Sequence, residues 1–152
     1  MALEMFESAR SSRLADCGIL DFPLLDTGKG PLVSIDFAEE LPFEVRRMYY
    51  FKRGKEDVAR GNHANFENRQ VIVALQGSFE VLLMDGYGEQ TIHLREANKG
   101  LVIREGIWRT VQRFSPDAIG LVLCSHAFLA EDYWGDFQAF LAWKRGGENL
   151  IA

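Results

Sequence analysis

His63, Asn65 and Gln70 are the residues whose types and spacing could do chemistry in this chain. They lie in the stretch RGNHANFENRQVIVALQGSFEV, residues 60–81, which opens on Gly61 and a polar knot before an apolar run from Val71 to Leu75. Histidine titrates near neutral pH, so it is the side chain best suited to take up and return a proton. Alternate residues of a strand share a face, so His63 and Asn65 project together, with Gln70 on the neighbouring stretch. Arg60 belongs to the same region. A lone histidine on a strand is ordinarily a satisfied core residue. Four polar groups together are expensive to bury in a closed core, which favours a concave, wet site.

A second polar set precedes this one. Residues 46–51, RRMYYF, read as a strand with Arg47, Tyr49 and Phe51 on one face and Arg46, Met48 and Tyr50 on the other. A tyrosine beside an arginine makes a good surface for a sugar phosphate, although a buried aromatic strand with arginines at its mouth has the same pattern. His93 lies on a short strand, Thr91 to Leu94, and reads as a surface residue.

These residues need a rigid frame, and the chain supplies short strands. The central stretch gives two strands joined by a Gly-containing turn at Gln76-Gly77. Further strands are expected within residues 17–25 and 32–35, then at 99–103, 108–111 and 119–124, with turns at 26–31 and 85–88. Many short strands without a long helical interruption indicate an all-β barrel or double-sheet jelly roll. Phe137, Phe140, Leu141 and Lys144 recur at helical spacing, so a C-terminal amphipathic helix is expected over about 134–145. The expected organisation is an arm at 1–16, left open between a flexible segment and a short covering helix, a barrel at 17–133, and a helix and tail at 134–152.

Composition bounds the rest. A chain of 152 residues, 47% hydrophobic with 11 Phe, makes one domain with a substantial core. The formal charge of −5 argues against a general nucleic-acid or membrane-surface binder. Cys17 and Cys124 fit neither a disulfide framework nor a metal motif. A cytoplasmic, reduced protein is the expectation.

The spacing of His63, Asn65, Gln70 and Gly77 resembles the first cupin motif, whose metal-binding version carries His-x-His, then Glu, then Gly. Neutral amides at 65 and 70 are poor ligands for zinc, iron or manganese, so the expected site holds no metal. The wider match is to the cupin-fold dTDP-4-keto-6-deoxyhexose 3,4-ketoisomerases. The resembling segments are LPFEVRRMYYF (41–51), ARGNHANFENRQVIVALQGSFEVLL (59–83), GLVIREGIWRTVQRFSPDAIGLVLCS (100–125) and EDYW (131–134), in matching order. By that resemblance His63 is the catalytic base and Tyr49 the tyrosine facing the sugar. Arg47 and Arg60 are substrate-binding arginines, and Asn65, Gln70, Trp108 and Arg109 complete the substrate site. Asn65 departs from the family's second His. Arg104-Glu105 replaces its Gly-Pro, and His126 stands where an acidic residue is common.

The resemblance implies a homodimer acting on a dTDP-linked keto-deoxyhexose, with no cofactor and no nucleic-acid or membrane partner. The expected reaction moves the keto group from C4 to C3 through an enediol(ate), for deoxy-amino sugar biosynthesis. Two alternatives stay open: a related sugar-nucleotide epimerase, and a non-catalytic cupin that binds a nucleotide sugar or other carbohydrate.

Overall fold

The computed structural model describes residues 2–146, with side chains from residue 7 onward. The tail expected beyond residue 146 lies outside the described residues. Two five-stranded antiparallel sheets form the body. One has the order β1 (Gly18–Asp21), β9 (Lys99–Ile103), β6 (Gln70–Gln76), β11 (Ile119–Cys124), β4 (Arg47–Lys52). The other has β12 (Tyr133–Trp134), β5 (Arg60–Asn65), β10 (Trp108–Gln112), β7 (Phe79–Met84), β8 (Glu89–Leu94). A separate hairpin pairs β2 (Leu24–Asp26) with β3 (Pro31–Val33). The expected double-sheet barrel is the fold observed.

The strand order explains the hydrophobic pattern. β6 reads as a continuous apolar run because both its faces are covered. Ile72 and Ala74 join the core between the sheets, with Phe51, Phe79, Leu83, Leu101 and Phe114. Val71 and Val73 face outward beneath Phe22 and the segment carrying Val33, Ile35, Leu41, Phe43 and Val45. β4 has one covered face, so it alternates: Phe51 is buried while Met48 and Tyr50 are exposed. The two strands around Gly77 do not pair with each other. β6 bonds to β9 and β11, whereas β7 bonds to β8 and β10. The turn therefore carries the chain from one sheet to the other. Gly77 has φ +65°, and a Cβ there would lie 2.2 Å from Ser115 Oγ.

The arm contains a helix, α1 (Ala2–Ser11), followed by a short 3₁₀ turn at Leu14–Asp16. After the single-turn helix α2 (Phe37–Glu40), the last helix is α3 (Phe137–Lys144), capped by Asp136, whose carboxylate accepts from Ala139 N at 3.0 Å. α3 buries Phe140 and Trp143 against Ala64, Trp108 and Ala9 on the outer face of the second sheet. Lys144 is buried, not on a polar helix face. Its Nζ donates to Ala9 O (2.6 Å) and Ser12 Oγ (2.8 Å), tying α3 to α1. Among the described residues, no helix is long and apolar enough to cross a membrane.

Candidate active site

The site forms where β5, β6 and β10 present their inward residues. Arg109 stands opposite His63 in the β10–β5 register, so the two share a face. Arg109 is 2% exposed. Its Nη1 lies 2.6 Å from Asn65 Oδ1, 3.0 Å from Gln70 Oε1 and 3.1 Å from His63 Nε2. Nη2 donates to Ile107 O at 3.1 Å, while Nε has no hydrogen-bond partner among the described residues. The three side chains at the ligand positions of a metallo-cupin thus converge on a guanidinium nitrogen. A permanent cation fills the focus of the site.

The hydrogen-bond pattern assigns the protons of His63. Nε2 lies 3.1 Å from Arg109 Nη1, which only donates, and 3.2 Å from Asn65 Oδ1, while Gly61 O on the other side of the ring only accepts; the donor at Nε2 and the acceptor at Nδ1 together leave the lone pair on Nε2. Nδ1, 3.1 Å from Gly61 O, therefore carries the hydrogen. Burial and the nearby Arg109 charge lower the His63 pKa to about 4, so the ring is neutral at physiological pH. Asn65 is fixed in turn by Asp132, whose Oδ2 accepts from Asn65 Nδ2 at 3.0 Å.

Tyr49 faces inward from β4 and is hydrogen-bonded with Gln70. Burial raises its pKa, so the phenol keeps its proton. Arg47, two residues earlier on the same face, lies 4.9 Å over the Tyr49 ring and 5.2 Å over Phe128. Burial works to lower its pKa, but a hydrogen bond with Tyr133 together with the charge interactions of Cys124, Tyr133 and Tyr49 outweighs this and raises it.

Arg60 reaches the inner side through a bulge. Counting by twos from His63 places it outside, yet the register skips Asn62 between Arg109 and Thr110. Gly61 (φ +87°) and Asn62 (φ +51°) absorb the extra residue, and Arg60 comes opposite the core residue Val111. Its guanidinium lies 4.5 Å over the Phe51 ring.

Trp108 is not brought to the Arg109 cluster. It precedes the inward-facing Arg109 on the same strand, so it points outward. It packs under α3, 5.0 Å from Phe137 and 5.6 Å from Phe140, and is 4% exposed. Tyr133 is the residue that sequence reasoning missed: it pairs with Asn65, and its ring centroid lies 4.6 Å from that of His63. The EDYW segment was the available signal.

The departures at 104–105 belong to a different contact. Glu105 accepts from Ser8 Oγ (2.7 Å), Arg69 Nε (2.8 Å) and Arg104 Nη2 (2.9 Å). Burial pushes its pKa up, but these partners overcome that and hold it at about 2. His126 lies 2.7 Å from Ser125 Oγ and 3.9 Å from Glu67, outside the Arg109 cluster. His93 is exposed and pairs with Glu80 at 2.8 Å. Cys17 and Cys124 are free thiols. Among the described residues, no group of three or more His, Cys, Asp and Glu is arranged to hold a metal ion.

A family model described as "FdtA: WxcM-like, C-terminal" matches residues 15–145. The TDP-4-oxo-6-deoxy-α-D-glucose-3,4-oxoisomerase of Aneurinibacillus thermoaerophilus is 32% identical over 127 residues, covering 82% of this chain and 91% of the relative. The crystal structure of a 3,4-ketoisomerase from Helicobacter canadensis superposes with TM-score 0.81 at 36% identity, covering 86% and 98% of the two chains. QdtA, a sugar 3,4-ketoisomerase from Thermoanaerobacterium thermosaccharolyticum solved in complex with TDP, gives TM-score 0.84 at 26% identity, covering 88% and 97%. The sheet order, the inward histidine and the agreement over residues 15–145 lead to one conclusion: the chain belongs to the FdtA-like family of cupin-fold sugar-nucleotide 3,4-ketoisomerases.

Proposed function

We propose that this protein moves the keto group of a TDP-linked 4-keto-6-deoxyhexose from C4 to C3, with His63 as the base. The observation that carries the proposal is the neutral His63 with its Nε2 lone pair turned to the inner side of the barrel. Arg109 Nη1 has two protons for three acceptors, and the amide oxygens at 2.6 and 3.0 Å are the nearer pair. The His63 contact at 3.1 Å is the one a substrate can replace.

The reaction balances within the substrate. Nε2 takes the proton from C3, the electron pair forms the C3–C4 enediolate, and O4 gains a proton. Loss of the O3 proton and return of a proton to C4 place the carbonyl at C3. The Tyr49 hydroxyl, still protonated, donates to the developing oxyanion, and the Arg109 charge stabilises it. Arg47 and Arg60 are assigned to the diphosphate, for which guanidinium forks are suited. QdtA binds TDP, which supports a thymidine diphosphate sugar here.

Deoxy-amino sugar biosynthesis, a cytoplasmic location, and the division into arm (1–16), barrel (17–133) and helical tail (134–152) belong to the same reading. So does a homodimer, supported by the hairpin leucines Leu24, Leu25 and Leu32, which are more than half exposed.

The test is incubation with TDP-4-keto-6-deoxyglucose in D₂O, followed by NMR. The native protein is expected to place deuterium at C4 and the carbonyl at C3. His63→Asn is expected to lose at least the roughly 10²-fold due to a positioned base. A native protein that leaves the carbonyl at C4, or His63→Asn with full exchange, overturns the reading.

A further inference from the structure

We propose that Asp132 is a positioning residue: its carboxylate dictates which way the Asn65 amide faces and, through Asn65 and Arg109, sets the tautomer of His63. Asp132 is 8% exposed, in the 3₁₀ turn Ala130–Asp132. Its backbone is anchored at both ends. Its N donates to Leu129 O at 3.1 Å, and its carbonyl accepts from Phe66 N at 3.0 Å. The carboxylate is then placed among three donors: Oδ1 accepts from Glu67 N (2.7 Å), and Oδ2 from Asn68 N (3.2 Å) and Asn65 Nδ2 (3.0 Å).

An ionised carboxylate only accepts, so the nitrogen of Asn65 must face Asp132 and its oxygen must face the site. A guanidinium only donates, and Asn65 Oδ1 receives Arg109 Nη1 at 2.6 Å. With the amide reversed, two buried donors would meet, since Asn65 is 1% exposed and Arg109 2%. Held there, Arg109 Nη1 shares its two protons among Asn65 Oδ1, Gln70 Oε1 and His63 Nε2; this donor and the carbonyl at Gly61 outweigh the acceptor Asn65 Oδ1, 3.2 Å from Nε2, and the ring's hydrogen goes to Nδ1. A carboxylate three bonds away from the base thereby keeps its reactive nitrogen free.

The experiment has two arms, and only the rate arm rests on the isomerase reading. The first records long-range ¹⁵N–¹H spectra of His63 in the native protein, where the Nδ1–H tautomer is expected. An Nε2–H tautomer overturns the inference. The second uses Asp132→Asn, which sets a donor against one of the three converging donors. The expected result is a mixture of His63 tautomers, with kcat lowered about 10- to 100-fold, the usual cost of losing an orienting partner. KM should change little, and Asp132→Glu should restore part of the rate. A folded Asp132→Asn protein with native tautomer and native kcat also overturns it. If Asp132→Asn does not fold, the native spectrum decides. If the native protein shows Nδ1–H but no isomerisation, the function reading falls and the positioning role stands.

Discussion

At the scale of single residues, the departure from the metal-binding cupin pattern is coherent. Asn65 and Gln70 are weak ligands for transition metals but good acceptors for a guanidinium, and Arg109 supplies it. The same charge helps hold His63 near pKa 4, behind burial as the larger cause. In the proposed reaction His63 acts in its neutral form, so the acid limb of kcat/KM should lie near pH 4 to 5 in the native enzyme. Arg109→Gln removes one of the two lowering causes, so the limb should move up towards the ordinary value of 6.5 while burial keeps it below. The linked effect on stability has a definite sign. Between pH 6.5 and about 4 the unfolded chain takes up a proton that the folded protein refuses, so stability falls as pH falls through that window. A pH–rate profile with an NMR titration of His63 checks both. A native acid limb at 6.5, or one that Arg109→Gln leaves in place, would contradict the assignment.

At the scale of elements, Glu105 and Gly106 form a seat for α1. Glu105 takes the Ser8 hydroxyl, and Ser12 Oγ donates to Glu105 O at 2.6 Å. A Cβ on Gly106, at φ +75°, would lie 1.7 Å from Ala9 O. Gly106→Ala should therefore displace α1 and cost more than the ~1 kcal/mol typical of a point change, seen as a lower Tm and faster proteolysis before residue 17. Native melting and native protease resistance would disprove the seat. Most of the strands were legible, because turn residues mark their ends and alternation or an apolar run fills them. The fine placement of the site was not. Arg60 reaches the inside through the bulge at Gly61-Asn62, which a count by twos passes over. Trp108 and Arg109 are adjacent on one strand and face opposite ways, and Arg109 is the one opposite His63. Asp132 and Tyr133 meet Asn65 from more than sixty residues away, on a 3₁₀ turn and a two-residue strand too short to leave a period.

At the scale of the whole molecule, the uncovered apolar surface calls for a second copy. An isolated two-stranded hairpin is marginal in water, and β2–β3 exposes Leu24, Leu25 and Leu32 at 52, 55 and 57%. Ile19 and Phe37 extend that surface, and the outward face of the edge strand β4 exposes Met48 and Tyr50. A two-fold pairing in which each hairpin covers the outward face of the partner's β4 would bury both sets at once. Burying one leucine contributes about 1.5–3 kcal/mol, and every 1.4 kcal/mol is tenfold in affinity. The expected outcome is a light-scattering mass of two chains at micromolar concentration. Leu25→Lys with Leu32→Lys removes four such leucines across a symmetric pair and should give monomers at the same concentration. His63 and Arg109 lie between the sheets and should keep their geometry, so the His63 spectrum of the variant should match the native one. A native mass of one chain would sink the pairing, and a dimer unaffected by the double substitution would place its interface elsewhere.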